Sequence, residues 1–201
     1  EMDDEEANQE IGVDESIIAK ETLTIDNPVF NKHRKSSKME AVLEKVHEIV
    51  VEKNEKVIIV SDWVGYLDLI GHHLNAIPGA TYCSYTGSTK YNDRDNIVTC
   101  FNTKKNPMVL LLSLRAGGQG LNLMAANHVI LVDIHWNPQL EVQAQDRVWR
   151  IGQTKDVFIH KLICVDTIEE RIIALQNKKL QIADNVLAGV GRDDRLGIAE
   201  L

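Results

Sequence analysis

Cysteine is scarce in this sequence, and its spacing excludes the common zinc-binding frameworks. The 201 residues include three cysteines, Cys83, Cys100 and Cys164, and no two of them form a C-x-x-C pair. Structural zinc sites need closely spaced cysteine or histidine ligands, so we predict no metal site. The odd number of cysteines and the lack of a signal peptide favour a reducing compartment. Apolar runs of the ~18 residues that a membrane span needs are also lacking, so we expect no membrane partner.

Excess positive charge is missing as well, because the net charge is -8 at pH 7. The acidic excess is concentrated in residues 1–26, which hold ten acidic residues and one lysine; the rest of the chain carries 21 basic and 20 acidic residues. A nearly neutral body can still present a basic face to nucleic acid. We predict that residues 1–27 are disordered or loosely packed. The stretch "NPVFNKHRKSSK" that follows is either a flexible connector or a nucleic-acid contact.

The remaining sequence alternates between short apolar runs and helical patterns. "KVIIVS", "PMVLLLS" and "HVILVD" are typical of buried strands. Residues 36–53 predict a helix capped by Ser36 or Ser37, residues 138–152 predict a helix that begins near Pro138, and residues 167–189 predict a long closing helix. The alternation predicts an α/β fold with a mostly parallel sheet and helices on both faces. In such folds ligands bind beyond the carboxyl ends of the strands.

Two stretches, "RAGGQGLNL" and "QAQDRVWRIGQ", indicate phosphate chemistry, although the chain has no G-x-x-x-x-G-K-[ST] loop. Arg147 and Arg150 share a face if their segment is helical, and a guanidinium fork suits phosphate oxygens. Alone, such a pair is more often a solvated or salt-bridged patch, with Glu141 and Asp146 nearby. Glycines before it let backbone amides approach a ligand closely. Four histidines lack metal-ligand spacing and are interpreted as structural: His72, His73, His128 and His160.

Taken together and in order, these stretches resemble motifs of the SWI/SNF-like ATPases in helicase superfamily two. "KVIIVSDW" resembles motif IV, "YTGS" with Arg94 the segment after it, "SLRAGGQGLNL" and "HWNP" motifs V and Va, and "QAQDRVWRIGQ" motif VI. "TIEERIIALQNKK" resembles the brace helix of that family. The resemblance covers about residues 28–190. It implies a RecA-like helicase C-terminal lobe at 28–166 and a brace helix with its tail at 167–201.

The resemblance also implies roles at the nucleotide. ATP would lie between this lobe and an N-terminal lobe that supplies the lysine loop and the Mg²⁺ ligands. Arg147 and Arg150 would be catalytic arginine fingers, and Asp146 would orient them. Three further residues would line the nucleotide: Gln143, Gly120 and Asn122. Because the lysine loop and the Mg²⁺ ligands are not in this sequence, the chain alone is expected to be inactive.

A second implied surface faces double-stranded DNA. Its residues would be Ser61, Thr86, Gly87, Ser113, Trp136 and Asn137. For Trp136 the alternative is a core position, and for Trp63 a core position is favoured. Two positions depart from the family pattern: Asp62 stands where glutamine is usual, and Trp149 stands where histidine or tyrosine is usual.

The resemblance therefore predicts the second lobe of a DNA-dependent ATPase that translocates on duplex DNA. A finer resemblance, to the branch that terminates RNA polymerase II transcription, implies a nuclear protein that meets the polymerase elongation complex. A chromatin-remodelling or DNA-repair translocase is the alternative within the family. A non-catalytic module that holds nucleic acid or a partner is the alternative outside it. The retained motif VI arginines favour the enzyme.

Overall fold

The computed structural model describes residues 31, 34–116 and 120–187. The chain divides into two compact units, Glu1–Lys35 and Ser36–Leu201, and the fold below belongs to the second unit. The predicted acidic segment 1–27 lies outside the described residues. Gly117, Gly118 and Gln119 of the glycine-rich loop lie outside them too.

A five-stranded sheet forms the centre of the second unit, and all of its strand pairs are parallel. Its strands are β1 (Val57–Ser61), β2 (Tyr82–Tyr85), β3 (Val109–Ser113), β4 (His128–Leu131) and β5 (Phe158–Lys161), in the order β2-β3-β1-β4-β5. The central strands β1, β3 and β4 are buried at every position, as continuous apolar runs predict for a sheet covered on both faces.

Within the described residues, five α-helices connect and cover the strands. They are α1 (Ser37–His47), which continues into a π-helical turn (Glu48–Glu52), α2 (Val64–Leu74), α3 (Tyr91–Thr103), α4 (Pro138–Gln145) and α5 (Ile168–Leu187). Ser36 caps α1 by accepting a hydrogen bond from the amide of Met39, and Pro138 begins α4 after the cap residue Asn137. Both helix starts agree with the sequence. None of the described helices is long and apolar enough to cross a membrane.

Two separate clusters of buried side chains lie on the two faces of the sheet. One joins α1 and α2 to Val57 and Ile59 of β1. The other joins Phe101 of α3 and the α4 region to Ile58 and Val60 of the same strand. Alternate side chains of one strand thus point to opposite cores, which is the arrangement of a parallel sheet between two helical layers. The α/β fold predicted from the sequence is confirmed.

The helix that begins at Pro138 is shorter than the sequence predicts. It ends at Gln145, and residues 146–152 form turns, so Arg147 and Arg150 do not share a helical face. The amides of Arg147 and Val148 bond to carbonyls three residues back, at 3.3 and 3.0 Å, which tightens the chain out of the α-helix. The carbonyl of Arg147 accepts instead from the amide of Leu123 at 3.0 Å. A tertiary hydrogen bond has replaced a helical one.

Two of the histidines join a partly buried polar cluster at the amino edge of the sheet. His128 Nε2 lies 2.8 Å from Glu55 Oε2, and His128 Nδ1 lies 3.1 Å from His160 Nε2. Burial lowers the pKa of both imidazoles. Hydrogen bonds from Asn127, His128 and Lys155 outweigh burial at Glu55 and bring the pKa of its carboxyl to about 2. The described residues contain no group of three or more potential metal ligands.

Candidate functional site

An open pocket of about 730 Å³ collects the motif VI side chains. Its lining consists of Asn122, Met124, Asp146, Arg147, Trp149, Arg150 and Ile151. Two segments build it, one leading into β4 and the other into β5. The first segment lies in the connection from β3 to β4, and the second lies between α4 and β5.

Hydrogen bonds between the two segments fix the shape of this pocket. Besides the bond from Leu123 to Arg147, the side-chain amide of Gln153 approaches the carbonyl oxygens of Met124 and Ala126 at 3.1 and 3.0 Å. Asn102 of α3 donates to the carbonyl of Asn122 at 2.7 Å. The arginine segment is therefore fastened to the glycine-rich segment by directional contacts rather than by helical geometry.

The two arginines differ in exposure. Arg147 is half-buried, and its Nε is buried without a hydrogen-bond partner among the described residues. Arg150 is exposed, and its Nη1 lies 3.5 Å from the carbonyl of Leu121. A buried guanidinium nitrogen without an acceptor is costly, so the arrangement suits an anionic ligand that supplies oxygen atoms. Asp146 lines the same pocket, but no ion pair within the described residues joins it to either arginine, which leaves the expected orienting role without a contact.

Of the three residues expected at the nucleotide, Asn122 lines the pocket. Gln143 is exposed on α4, and Gly120 is exposed in the loop; neither belongs to the lining. Gly120 has φ +72°, a conformation that a side chain disfavours, so its position in the loop requires glycine. Trp149 is 73% exposed at the rim, where its ring is available to a ligand or to a second lobe.

Three of the six residues expected at DNA are buried and bonded within the chain. Ser61 Oγ donates to a carboxylate oxygen of Asp133, and Ser113 Oγ accepts from the amide of Ala116 at 3.4 Å. The hydroxyls of Thr86 and Ser88 lie 2.8 Å apart. These side chains shape the loops that leave β1, β2 and β3, and none of the three is more than 5% exposed.

The other three are more accessible. Gly87 is exposed, and Asn137 is half-buried and caps α4 by accepting from the amide of Gln139 at 3.1 Å. Trp136 is 59% exposed, which excludes the core alternative. The core position favoured for Trp63 is wrong, because this side chain is 68% exposed at the start of α2. The residue lies in the loop between β1 and α2, at the carboxyl edge of the sheet and outside the packed core.

One exposed cation at the carboxyl edge of the sheet was not predicted from the sequence. Arg115 stands two residues after β3, is 84% exposed at its side chain, and forms an ion pair with Asp62, Nε to Oδ1 3.2 Å. Both residues line a smaller pocket of about 250 Å³ together with Ser113 and Gly87. The signal was present, since Arg115 is the first residue of the glycine-rich stretch and Asp62 is a departure from the family pattern.

The geometry defines a RecA-like lobe with an arginine pocket, and comparison with known proteins gives it a family. Residues 37–152 match the model of the helicase conserved C-terminal domain, and the chain belongs to this family. The resemblance drawn from the sequence motifs is thereby confirmed.

Individual relatives agree with this assignment. The chain is 48% identical over 193 residues to transcription termination factor 2 of Drosophila melanogaster, covering 94% of this chain and 18% of that protein. It is 37% identical over 161 residues to the ATP-dependent helicase ULS1 of Saccharomyces cerevisiae, covering 80% of this chain and 10% of that protein. The crystal structure of the C-terminal part of the Fun30 ATPase domain is similar with a TM-score of 0.69 and 32% identity, over 92% of this chain and 53% of that chain. The chain thus spans less than a fifth of these two curated relatives.

Proposed function

We propose that this chain is the second lobe of a DNA-dependent ATPase that translocates on double-stranded DNA. The observation that carries the proposal is the convergence of Arg147, Arg150 and Asn122 on one open pocket, in which Arg147 Nε is buried and has no acceptor among the described residues. An open pocket with two guanidinium groups suits the γ-phosphate of ATP held by a facing lobe. The names of relatives such as the ATP-dependent helicase ULS1 support ATP use.

In this proposal the two arginines act on the barrier of hydrolysis. Arg150 is the exposed fork that reaches the γ-phosphoryl oxygens, and Arg147, held by its carbonyl bond to Leu123, presents a second donor from a fixed position. Guanidinium donors aimed at charge that develops in the transition state lower the barrier more than they improve binding. Mg²⁺, when bound, neutralises phosphate charge; the pocket offers it one carboxylate, Asp146, and the facing lobe is proposed to supply its ligands.

The loops at the carboxyl edge of the sheet are proposed to meet the DNA backbone. Trp136, Asn137 and Gly87 would contact it directly. Ser61, Thr86 and Ser113 would hold the loops in shape and offer main-chain groups, since their side chains are buried. Backbone contacts position a protein on a duplex without reading its sequence, which is what translocation requires.

The biological setting is proposed from similarity. The match to transcription termination factor 2 extends over 94% of this chain, so we assign the lobe to a nuclear protein that acts on the RNA polymerase II elongation complex in termination. A chromatin-remodelling role is the second candidate, because the chain is also 41% identical over 168 residues to a SWI/SNF-related regulator of chromatin from Caenorhabditis elegans. Transcript release from a stalled polymerase and nucleosome sliding, measured with the same two-lobed protein, distinguish the two.

Substitution of the arginines tests the enzymatic proposal. In a two-lobed protein that carries this lobe, Arg147→Ala and Arg150→Ala should each lower the single-turnover rate of ATP hydrolysis by roughly 10² or more, since an arginine finger contributes about 10³–10⁵. The dissociation constant for ATP should change less. Lysine at either position should rescue poorly, because a point charge lacks the bidentate fork.

Arg171→Ala, an exposed arginine on α5, serves as the matched control and should hydrolyse ATP at the parental rate. The isolated chain should show negligible turnover with duplex DNA. If both pocket variants hydrolyse ATP at the parental rate, the arginines are only a surface patch and the proposal is refuted.

A further inference from the structure

The two side chains of the ion pair between Arg115 and Asp62 differ in exposure. The Arg115 side chain is 84% exposed, whereas that of Asp62 is 22% exposed. The arginine donates through Nε to Asp62 Oδ1 at 3.2 Å. Within the described residues, this is the hydrogen bond that its guanidinium makes. Most of its donors therefore face solvent at the edge where DNA is proposed to bind.

Asp62 is held in place by its main chain. Its amide donates to Asp133 Oδ2 at 3.1 Å, and Asp133 also accepts from Ser61 Oγ. The residue directly follows β1, and Arg115 stands two residues after β3, the strand that pairs with β1. The amide of Leu114 donates to the carbonyl of Ser61 at 3.0 Å, which keeps the two loops together. The main chain of Asp62 is thus held in place, and Arg115 is the more exposed partner.

The pocket around this pair has the composition of an anion site. Its lining contains two guanidinium groups, Arg94 and Arg115, and one carboxylate, Asp62, beside Ser113 and Gly87. Arg94 is itself anchored, with Nε donating to the carbonyl of Thr89 at 3.1 Å. Because most of the Arg115 side chain is exposed, this lining can present guanidinium donors to an oxyanion.

We propose that Arg115 binds a phosphate of the DNA backbone, and that Asp62 occupies Arg115 in the absence of DNA and so limits how tightly the lobe holds the duplex. The inference rests on the proposed function, because it concerns the same DNA-facing edge. A carboxylate and a phosphate diester carry the same charge and accept the same guanidinium donors, so one replaces the other without a new arrangement of the loop.

Asp62 weakens DNA binding in two ways. Arg115 must leave its carboxylate before it engages phosphate, and the carboxylate left behind then repels the phosphate nearby. Exposed ion pairs contribute little to stability, so the exchange is easy and the effect on affinity is moderate. The carboxylate shortens the residence time of the lobe on DNA without blocking access to the DNA.

The test is the affinity of this chain for a labelled DNA duplex, measured by fluorescence anisotropy over a series of salt concentrations. Asp62→Asn should tighten binding about 1.4- to fivefold, the range that exposed ion pairs span. Arg115→Gln should weaken binding and lower the slope of log K against log salt by about 0.9, the value for one phosphate contact. In the Arg115→Gln background, Asp62→Asn should tighten DNA binding less than it does in the wild type.

Asp156→Asn is the matched control, because Asp156 is an exposed aspartate just before β5, at the opposite edge of the sheet. It reports the effect of one less negative charge at a distance. Equal tightening by Asp62→Asn and Asp156→Asn, with DNA binding otherwise intact, overturns the competition and leaves the proposed function standing. Absence of duplex binding by the wild-type chain and all variants overturns both.

Two further measurements complete the design. Unchanged melting temperatures show that the variants fold, and Asp62→Ser repeats the test with a shorter neutral side chain. Titration with inorganic phosphate separates a free anion from a DNA backbone: phosphate binding at low millimolar concentration that Arg115→Gln abolishes, while the same substitution leaves the affinity for DNA unchanged, would assign the pocket to a small anion and overturn the DNA contact.

Discussion

Gln153 shows what one side chain contributes to the arginine pocket. Its amide nitrogen lies 3.1, 3.0 and 3.4 Å from the carbonyls of Met124, Ala126 and Val148, and its oxygen accepts from the amide of Lys155 at 3.1 Å. A single amide thus satisfies main-chain groups on both segments that build the pocket. Such groups would be hard to satisfy otherwise, because this part of the chain forms neither helix nor strand.

We expect Gln153→Ala to lower the free energy of unfolding by about 1–3 kcal/mol, the usual penalty for polar groups left without partners. Urea denaturation measures this directly. Gln139→Ala, an exposed glutamine on α4, is the control and should change stability by less than about 0.5 kcal/mol. Equal stabilities of the two variants would show that solvent replaces Gln153 without cost.

At the same scale, the sequence predicted which residues meet in the pocket better than it predicted the backbone structure that carries them. Arg147, Arg150 and Asn122 were expected together and lie together. The shared helical face that was the reason for pairing the arginines is absent. Hydrogen bonds from residues about 25 positions away, such as that of Leu123 to Arg147, decide the local path, and no local pattern contains them.

Among the elements, α5 does more than cover the sheet. Gln176, 3% exposed, donates through Nε2 to the carbonyl of His135 and, at 2.7 Å, to Glu141 Oε1. Glu141, 1% exposed, also accepts from the amide of His135 at 2.9 Å and from Lys161 Nζ at 2.7 Å. Lys179 of the same helix lies 4.7 Å from the centre of the Trp136 ring. The helix therefore fixes the loop that presents Trp136.

Replacing Gln176 tests this connection. Gln176→Leu removes a donor from a buried carboxylate and from a carbonyl, so we expect the free energy of unfolding to fall by about 1–3 kcal/mol. Gln181→Leu, on an exposed position of the same helix, makes the same chemical change without those partners. Indistinguishable denaturation midpoints for the two variants would contradict the expected role of Gln176.

Elements were predicted most accurately where burial alone decides them. The strands β1, β3 and β4 are uniformly apolar and were evident from the sequence, and the cap at Ser36 followed from local chemistry. The end of α4 was not, because it depends on a distant loop. The exposure of Trp63 was missed for a similar reason: a tryptophan before an apolar helix predicts core, but the residue lies on the edge loop outside the packed layer.

For the molecule as a whole, the buried His128 and the half-buried His160 make stability depend on pH. Burial lowers the pKa of each in the folded state, so the unfolded chain binds more protons as the pH falls through the ordinary histidine range near 6.5. The stability is present above that range and is lost below it. Glu55 acts in a lower window: its pKa of about 2 contributes stability above about 4.5 that is lost between 4.5 and 2.

We therefore expect the melting temperature to fall by roughly a few degrees between pH 7.5 and 5.5, measured by circular dichroism. His160→Gln keeps an amide that can donate to His128 and should make the pH dependence shallower. His72→Gln replaces an exposed histidine on α2 and should leave the dependence unchanged. A wild-type melting temperature that is constant over this interval would mean that the imidazoles of His128 and His160 titrate normally.

The contact between α1 and α5 has a consequence for the order of events during synthesis. Lys38 in the first turn of α1 donates to the carbonyl of Val132 and binds Glu169, which lies 131 residues further along the chain. Ribosomes add about 5–20 residues per second, so the lysine waits roughly 7–26 s for its carboxylate partner. β1 waits as well, since its neighbours β3 and β4 are made after α2, β2 and α3. Among the strands of the sheet, the middle one is therefore made first and is among the last to be enclosed.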